Sequence, residues 1–572
     1  MRRATLGLLL CLHCGNNPGD HPDTSTGSST SAAPPTTGTT SEPEPTTASA
    51  PPTTEPTTEP TTTEPTSEPA CPDPTPNGGL LLASDHGVVE GEQLSEVLGF
   101  RGIPYAAPPL GELRFRPPVA PACVPGVTPR TTFGPRCVQL VKDDNGNITD
   151  TLGDEDCLTL NVWTPGLDEG VRPVLVFIHG GGNATGGSDD PLHDGAALAR
   201  DQDVVVVTLN YRLGPLGFLV HPELAAESPD AVSGNYAIRD QIAALTWVKA
   251  HAARLGGDPQ RVLLFGESAG AVNVCTLIGS PLAAGLFTRA IVQSGSCSER
   301  TLAKLGDDIA DAWLTNSGCD ADVPACLRKL PASDLVALSP DGYPDVAALG
   351  QGWGPHVDGL VVPTTTLAAM QAGTHNQVPL IFGSNAAETA NAVPPLSEAQ
   401  YTTLVKTSFG PFADPVLAAY PVADYPDPRA AYVALSSDLK FVCGARRAAR
   451  AAVAGQQLPV RRYHFAYDAY TAAPGVTPAA FHGLELVYLF AGWSGVQAGQ
   501  FEYKPNADDL AMSVLMQTAW ARFANLGQTD DPNLPWPAYA AATDDHVILD
   551  LPPATGQHLR AAQCDFWDSL LP

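Results

Sequence analysis

The sequence predicts an α/β fold: one large, mixed, mostly parallel sheet with helices on both faces. Three observations predict it. First, Val174–Ile178, Asp203–Thr208, Val262–Phe265, Ala290–Gln293 and Val378–Phe382 are apolar at nearly every position. Strands buried on both faces read this way, whereas half-exposed strands alternate. Second, Ala-rich stretches of helical character such as Ile238–Leu255 lie between these runs. Third, residues 71–572 contain no internal repeat and no linker, so one large α/β domain is the economical reading.

Residues 1–19 read as an export signal. Arg2 and Arg3 precede a short apolar run that cannot span a bilayer. Cys14 followed by Gly15 fits the end of a bacterial lipoprotein signal, while His13 is a poor cleavage-site residue. Two outcomes stand open: a lipid anchor at Cys14, or export without lipid. Residues 20–70 are almost entirely Thr, Ser, Pro, Glu, Ala and Gly, with Thr-Thr-Glu-Pro repeated. That composition cannot bury a core and predicts an extended, disordered tether. The expected location is therefore secreted, or held at the cell surface or envelope by this segment.

The chain has 572 residues and a net charge of −30. Its first 70 residues hold eight acids and two bases, leaving −24 on the remainder. Such a surface repels phosphate backbones and anionic lipid, which argues against nucleic-acid and membrane-surface partners. The twelve cysteines are widely spread, and no His/Cys cluster has zinc spacing. No metal and no cofactor are expected; disulfides in an exported protein are.

The strand Val262–Phe265 runs into Gly266-Glu267-Ser268-Ala269-Gly270, and a helix continues over Ala271–Leu277. Strand, tight turn and helix are the setting in which Gly-x-Ser-x-Gly forms a nucleophile elbow. The turn pushes Ser268 into the open, and the flanking glycines let strand and helix approach. The positive end of the helix dipole then faces any charge developing at the serine. By itself the pentapeptide is equally a surface turn. His179-Gly180-Gly181-Gly182 follows directly on Val174–Ile178. Its free backbone N–H groups, with that of Ala269, would complete an oxyanion hole. A phosphate cradle does not fit, because no Gly-Lys-Ser/Thr follows.

A serine nucleophile needs a base, and the base needs an orienting acid. The histidines after Ser268 are His356, His375, His464, His482, His546 and His558. His482 sits on a turn before the apolar Leu486–Phe490, whereas His464 lies in an apparent strand and reads as structural. Glu388 follows the buried strand Val378–Phe382 on a loop, in the order Ser, acid, His that this architecture uses.

The motifs Phe100–Phe115, Glu155–Val162, His179–Gly182, Asn210–Arg212, Asp240-Gln241, Gly257–Pro259, Phe265–Gly270, Gln293–Gly295, Val357–Gly359, Asn385–Glu388, His482-Gly483 and Cys564–Trp567 occur in order. Together they resemble the type-B carboxylesterase family, which includes cholinesterases and lipases, over residues 80–572. The resemblance implies the α/β-hydrolase fold. It implies Ser268 as nucleophile, Glu388 as acid and His482 as base. It implies Gly181, Gly182 and Ala269 as oxyanion donors, with Glu267 ordering the site. It also implies disulfides Cys137–Cys157, Cys319–Cys326 and Cys443–Cys564. Cys71, Cys123, Cys275 and Cys297 have no family counterpart. We expect Cys71 to pair with Cys123, and Cys275 either to pair with Cys297 or to stay a buried thiol.

Departures from the family bear on substrate. The cholinesterases carry a tryptophan in the first disulfide loop that holds a quaternary ammonium. Here Val138–Asp156 contains no aromatic residue, so choline esters are not expected. The same loop is rich in Asp and Asn, which suits water rather than the apolar lid of a lipase. The expected activity is hydrolysis of small to medium soluble esters through an acyl-enzyme. The alternatives are a lipase, an amidase or carbamate hydrolase on the same triad, or a non-catalytic adhesion module of the same fold. Asn183 and Trp353 are expected to line the pocket. Asn147-Ile-Thr149 and Asn183-Ala-Thr185 match the glycosylation acceptor pattern, the second too close to the site to be used.

Overall fold

The computed structural model describes residues 79–570, apart from 85, 143–147, 298, 300–309, 340–351, 469–478, 494–496, 499–500, 530 and 532. The export signal, Cys14, the tether, Cys71 and Asn147 all lie outside the described residues.

Among the described residues eleven strands form the main sheet: β1 (Glu92–Leu94), β2 (Val97–Pro104), β3 (Thr159–Thr164), β4 (Arg172–Ile178), β5 (Val205–Leu209), β6 (Gly257–Glu267), β7 (Arg289–Gln293), β8 (Leu380–Asn385), β9 (Val460–Phe465), β10 (His546–Leu549) and β11 (Ala554–Gly556). Their order across the sheet is β1-β2-β3-β5-β4-β6-β7-β8-β9-β10-β11. The run from β5 to β10 is parallel throughout, and antiparallel strands flank it at each end. This is the mixed, mostly parallel sheet that the uninterrupted apolar runs predict.

The reason those runs lack alternation is visible in where their side chains go. Val174, Val176 and Ile178 enter one buried cluster, while Leu175 and Phe177 enter the other. Val262 and Leu264 go to the first, Leu263 and Phe265 to the second. Successive side chains point to opposite faces of a strand, so a strand between two cores must be apolar at every position. The helical stretch begins slightly earlier than its composition indicates. It forms α1 (Tyr236–His251) and tightens into a 3₁₀ turn over Ala252–Leu255 that ends at the left-handed Gly256. The helix after Ser268 is α2 (Ala269–Gly279).

The three family disulfides, Cys137–Cys157, Cys319–Cys326 and Cys443–Cys564, are formed. Cys275 pairs with Cys297, which settles the choice in favour of the bond over a free thiol. Cys123 is disulfide-bonded as well. Within the first disulfide loop, Gln139–Lys142 and Ile148–Leu152 form a separate hairpin whose second strand is largely exposed. Among the described residues no group of His, Cys, Asp and Glu could hold a metal ion, and no helix is long and apolar enough to cross a membrane.

Candidate active site

Ser268 stands between the end of β6 and the start of α2 with φ 57° and ψ −123°. A non-glycine residue held at positive φ stores strain, as an elbow requires. The flanking glycines are explained by contact. A Cβ on Gly270 would lie 2.1 Å from the carbonyl oxygen of Ile178, and one on Gly266 would lie 2.7 Å from the backbone of Gly270. The strand-to-helix turn therefore closes only without side chains at these two places. The Ser268 N–H donates to the Gln293 carbonyl at 3.0 Å, which ties the elbow to the end of β7. Ser268 and Ala269 are only partly buried.

The triple-glycine loop leaves the end of β4 and packs directly on the elbow. A Cβ on Gly180 would lie 2.9 Å from Ser268 Cβ and 2.9 Å from Glu267 Oε2. Gly181 and Gly182 have φ of 103° and 64°. The Gly181 carbonyl accepts from the N–H groups of Ala184 and Thr185 at 3.1 and 3.0 Å, so it is turned inward along its own loop. Among the described residues the Gly181 and Gly182 N–H groups have no acceptor. Free donors beside a serine are what an oxyanion hole needs.

Glu388 and His482 meet where the chain leaves β8 and where it enters α3 (Leu484–Phe490). His482 Nδ1 lies 2.7 Å from Glu388 Oε2. The other carboxylate oxygen, Oε1, accepts from the N–H of Asn385 at 2.6 Å. The two turns are also stitched through the backbone: His482 N–H donates to Glu388 O at 3.0 Å and Ala387 N–H to Ala480 O at 3.0 Å. Glu388 is fully buried and His482 nearly so.

The second ring nitrogen, Nε2, lies 3.1 Å from Glu267 Oε1, close but not aligned as a hydrogen bond. Among the described residues no hydrogen bond joins Ser268 Oγ to the ring. The ring thus faces the residue just before the serine. Burial, opposed by the charge of His482, raises the Glu267 carboxyl to about 8, with Glu485 and Glu388 adding to it. Burial alone would lower the His482 pKa, but Glu267, Glu388 and Glu485 outweigh it and raise it to about 9. Both groups are thus pushed toward their protonated forms.

Several participants carry no readable mark in the sequence. Glu485 is fully buried, accepts from Asn385 Nδ2 at 2.6 Å and from Gln293 Nε2 at 3.3 Å, and is raised to about 7 by burial and by Glu388. The only hint is its place three residues after His482, on the first turn of α3. Phe441 packs its ring 4.6 Å, centroid to centroid, from the imidazole of His482. It belongs to a π-helical turn, Asp438–Val442, that no periodicity announces. Asn183 is buried, its Oδ1 accepts from Asn273 Nδ2 at 2.9 Å, and its carbonyl accepts from Gly214 N–H at 2.7 Å. Its acceptor pattern is thus closed to a glycan. Trp353, expected in the pocket lining, is buried. Its ring meets Trp313 edge-on at 6.1 Å and its N–H donates to Ser339 Oγ at 3.1 Å. Its neighbour Gly354 is the residue that approaches Asn183.

A strained serine between parallel strand and helix, a buried acid–imidazole pair and a loop of free amides define a serine hydrolase on an α/β-hydrolase scaffold. Comparison with known proteins carries this further. The model of the carboxylesterase family matches residues 80–567. The fumonisin B1 esterase of Sphingopyxis macrogoltabida is 36% identical over 471 residues, covering 80% of this chain and 84% of that protein. The para-nitrobenzyl esterase of Bacillus subtilis (strain 168) is 31% identical over 479 residues, covering 82% and 94%. A solved PNB esterase superposes with a TM-score of 0.73 at 30% identity, over 85% of this chain and 99% of that one. The chain belongs to the carboxylesterase family, and its class is that of carboxylic ester hydrolases.

Proposed function

We propose that Ser268, His482 and Glu388 form the catalytic triad of an exported esterase acting on small to medium, water-soluble carboxylic esters. The observation that carries it is the 2.7 Å contact between His482 Nδ1 and Glu388 Oε2, buried beside the strained serine turn. His482 turns Nε2 from Glu267 to Ser268 and takes the hydroxyl proton as Oγ attacks the ester carbonyl. Glu388 fixes the ring tautomer and stabilises the imidazolium. The Gly181, Gly182 and Ala269 amides hold the oxyanion. Protonated His482 then gives its proton to the departing alcohol, and water, activated by the same ring, hydrolyses the acyl-enzyme. Glu267 orders the site from the other side of the imidazole.

The preference for soluble esters is supported by the exposed hairpin and acidic composition of the first disulfide loop. Export is supported by the four described disulfides, which suit an oxidising environment. Residues 1–19 are the export signal, 20–70 the tether and 71–572 the catalytic domain. Cys14 is the place where a lipid anchor would be attached. The test is a series of p-nitrophenyl esters of increasing acyl length, run on the native protein and on Ser268→Ala. Turnover that survives in Ser268→Ala overturns the triad. A native protein that neither turns over any ester nor reacts with an organophosphonate supports the non-catalytic alternative.

A further inference from the structure

The oxyanion donors come from two separate pieces of chain. Gly181 and Gly182 lie on the loop after β4, and Ala269 opens α2 after β6. All three amides must converge on one oxygen, so the loop must be held in register with the helix to a fraction of an ångström. The neighbouring strands β4 and β6 set their common frame, with Ile178 opposite Gly266. Beyond the strand ends the loop is braced internally by Gly181 O, as described above. Among the described residues one side-chain hydrogen bond ties it to the helix: Asn273 Nδ2, on the second turn of α2, donates to Asn183 Oδ1 at 2.9 Å.

Asn183 directly follows Gly182 and has φ 56°, a left-handed conformation that asparagine tolerates better than most side chains. It is 3% exposed, and Asn273 is completely buried. The bond is a poor stabiliser of the fold. Asn273 Oδ1 is buried and has no partner among the described residues, so this amide is only half satisfied. An apolar residue of the same shape would remove that unpaired oxygen. A polar pair kept at a site where it does little for stability calls for a geometric reason.

We infer that Asn183 and Asn273 are positioning residues that lock the glycine loop onto the helix of the nucleophile elbow and so set the geometry of the oxyanion hole. Neither touches the reacting atoms. The inference rests on the esterase reading above and deepens it.

The decisive variant is Asn273→Leu, which keeps the volume and removes the donor. Its activity on p-nitrophenyl acetate is compared with that of the native protein, together with inhibition by an alkyl trifluoromethyl ketone, which forms a tetrahedral oxyanion on the serine. The expected result is a fall in kcat of roughly ten- to a hundredfold, less than the hundred- to thousandfold typical of deleting a donor outright. KM stays within about threefold, since ground-state binding is unaffected. Ketone inhibition weakens in parallel with kcat/KM, while the thermal midpoint falls only modestly, because losing the unpaired Asn273 Oδ1 offsets part of the cost of leaving Asn183 Oδ1 without its donor. Asn183→Ala, and the Asn183→Ala/Asn273→Leu double variant, lose no more than the larger single loss, because both act through one bond. Should Asn273→Leu not fold, Asn273→Ala and Asn183→Ala carry the same comparison. A kcat within twofold of native overturns the inference. So does a loss accompanied by unchanged ketone inhibition, which would signify general disruption. The ester reading itself fails separately, on the native protein and Ser268→Ala.

Discussion

Glu388 and His482 are joined twice, once through the carboxylate to ring Nδ1 at 2.7 Å and once through the backbone, His482 N–H to Glu388 O at 3.0 Å. The second bond holds the two turns together whatever the side chain does. Function and fold can therefore be separated at this position. Glu388→Gln keeps the backbone bond and the volume but loses the charge that stabilises the imidazolium. We expect kcat to fall by about 10³–10⁴-fold, as when a triad carboxylate becomes an amide, with little change in circular dichroism. Steady-state kinetics on a soluble ester checks this; a silent substitution would place the acid elsewhere.

The Glu267 carboxyl facing the imidazole of His482 at 3.1 Å makes a pH prediction. His482 is raised above its ordinary value in large part by the Glu267 charge. Only the neutral ring accepts the serine proton, so activity is present above this pKa and is lost as pH falls through it. Glu267→Gln removes the charge and lowers the His482 pKa. The acid limb of kcat/KM should then move to lower pH. A limb that stays fixed, or moves to higher pH, contradicts the assignment of Glu267 as the neighbour that governs the ring.

Glycines needed for space separate from those needed only for conformation. Gly270→Ala would press a Cβ to 2.1 Å from the Ile178 carbonyl oxygen and 2.7 Å from that of His179, and backbone cannot swing aside as a flexible side chain can. Gly318, at a helix end with φ 71°, has open space around it. Gly318→Ala should cost about 1–2 kcal/mol from its left-handed backbone alone. Gly270→Ala should cost more, or leave no soluble protein. Thermal or urea unfolding of the two variants gives the order, and equal losses would deny the tight turn.

Much of this was legible because parallel strands and their loops write long, contiguous signatures. The apolar runs, the elbow pentapeptide and the triple glycine each occupy adjacent residues, so their pattern survives in one dimension. What the sequence hides is contact between distant segments. Glu485 reaches Asn385 across 100 residues and Asn273 reaches Asn183 across 90. Phe441 arrives on His482 through a π turn, which breaks helical periodicity rather than producing it. Trp353 likewise meets partners from other segments, Ser339 through its indole N–H and Trp313 through its ring, that its place near glycines does not announce.

Arg212 and Asp240, which lie in two of the family motifs, form a buried bidentate ion pair. Arg212 Nε donates to Asp240 Oδ2 at 2.8 Å and Nη2 to Oδ1 at 2.6 Å. The Arg212 N–H also donates to Oδ2 at 3.1 Å, and Nη1 donates to the Arg116 carbonyl at 2.8 Å. Both side chains are almost entirely shielded from water. The pair thus anchors the segment after β5 to α1 and to the chain near Arg116. Removing one partner leaves the other charged in a low-dielectric interior, which is costlier than the pair is favourable. Asp240→Ala should therefore destabilise the domain by about 3–5 kcal/mol. Arg212→Met/Asp240→Leu, which removes both charges and fills much of the volume, should recover most of that loss. Urea denaturation of the two variants measures the difference. If the double variant is no more stable than the single one, the pair contributes by attraction rather than by mutual neutralisation, and its burial would need another explanation.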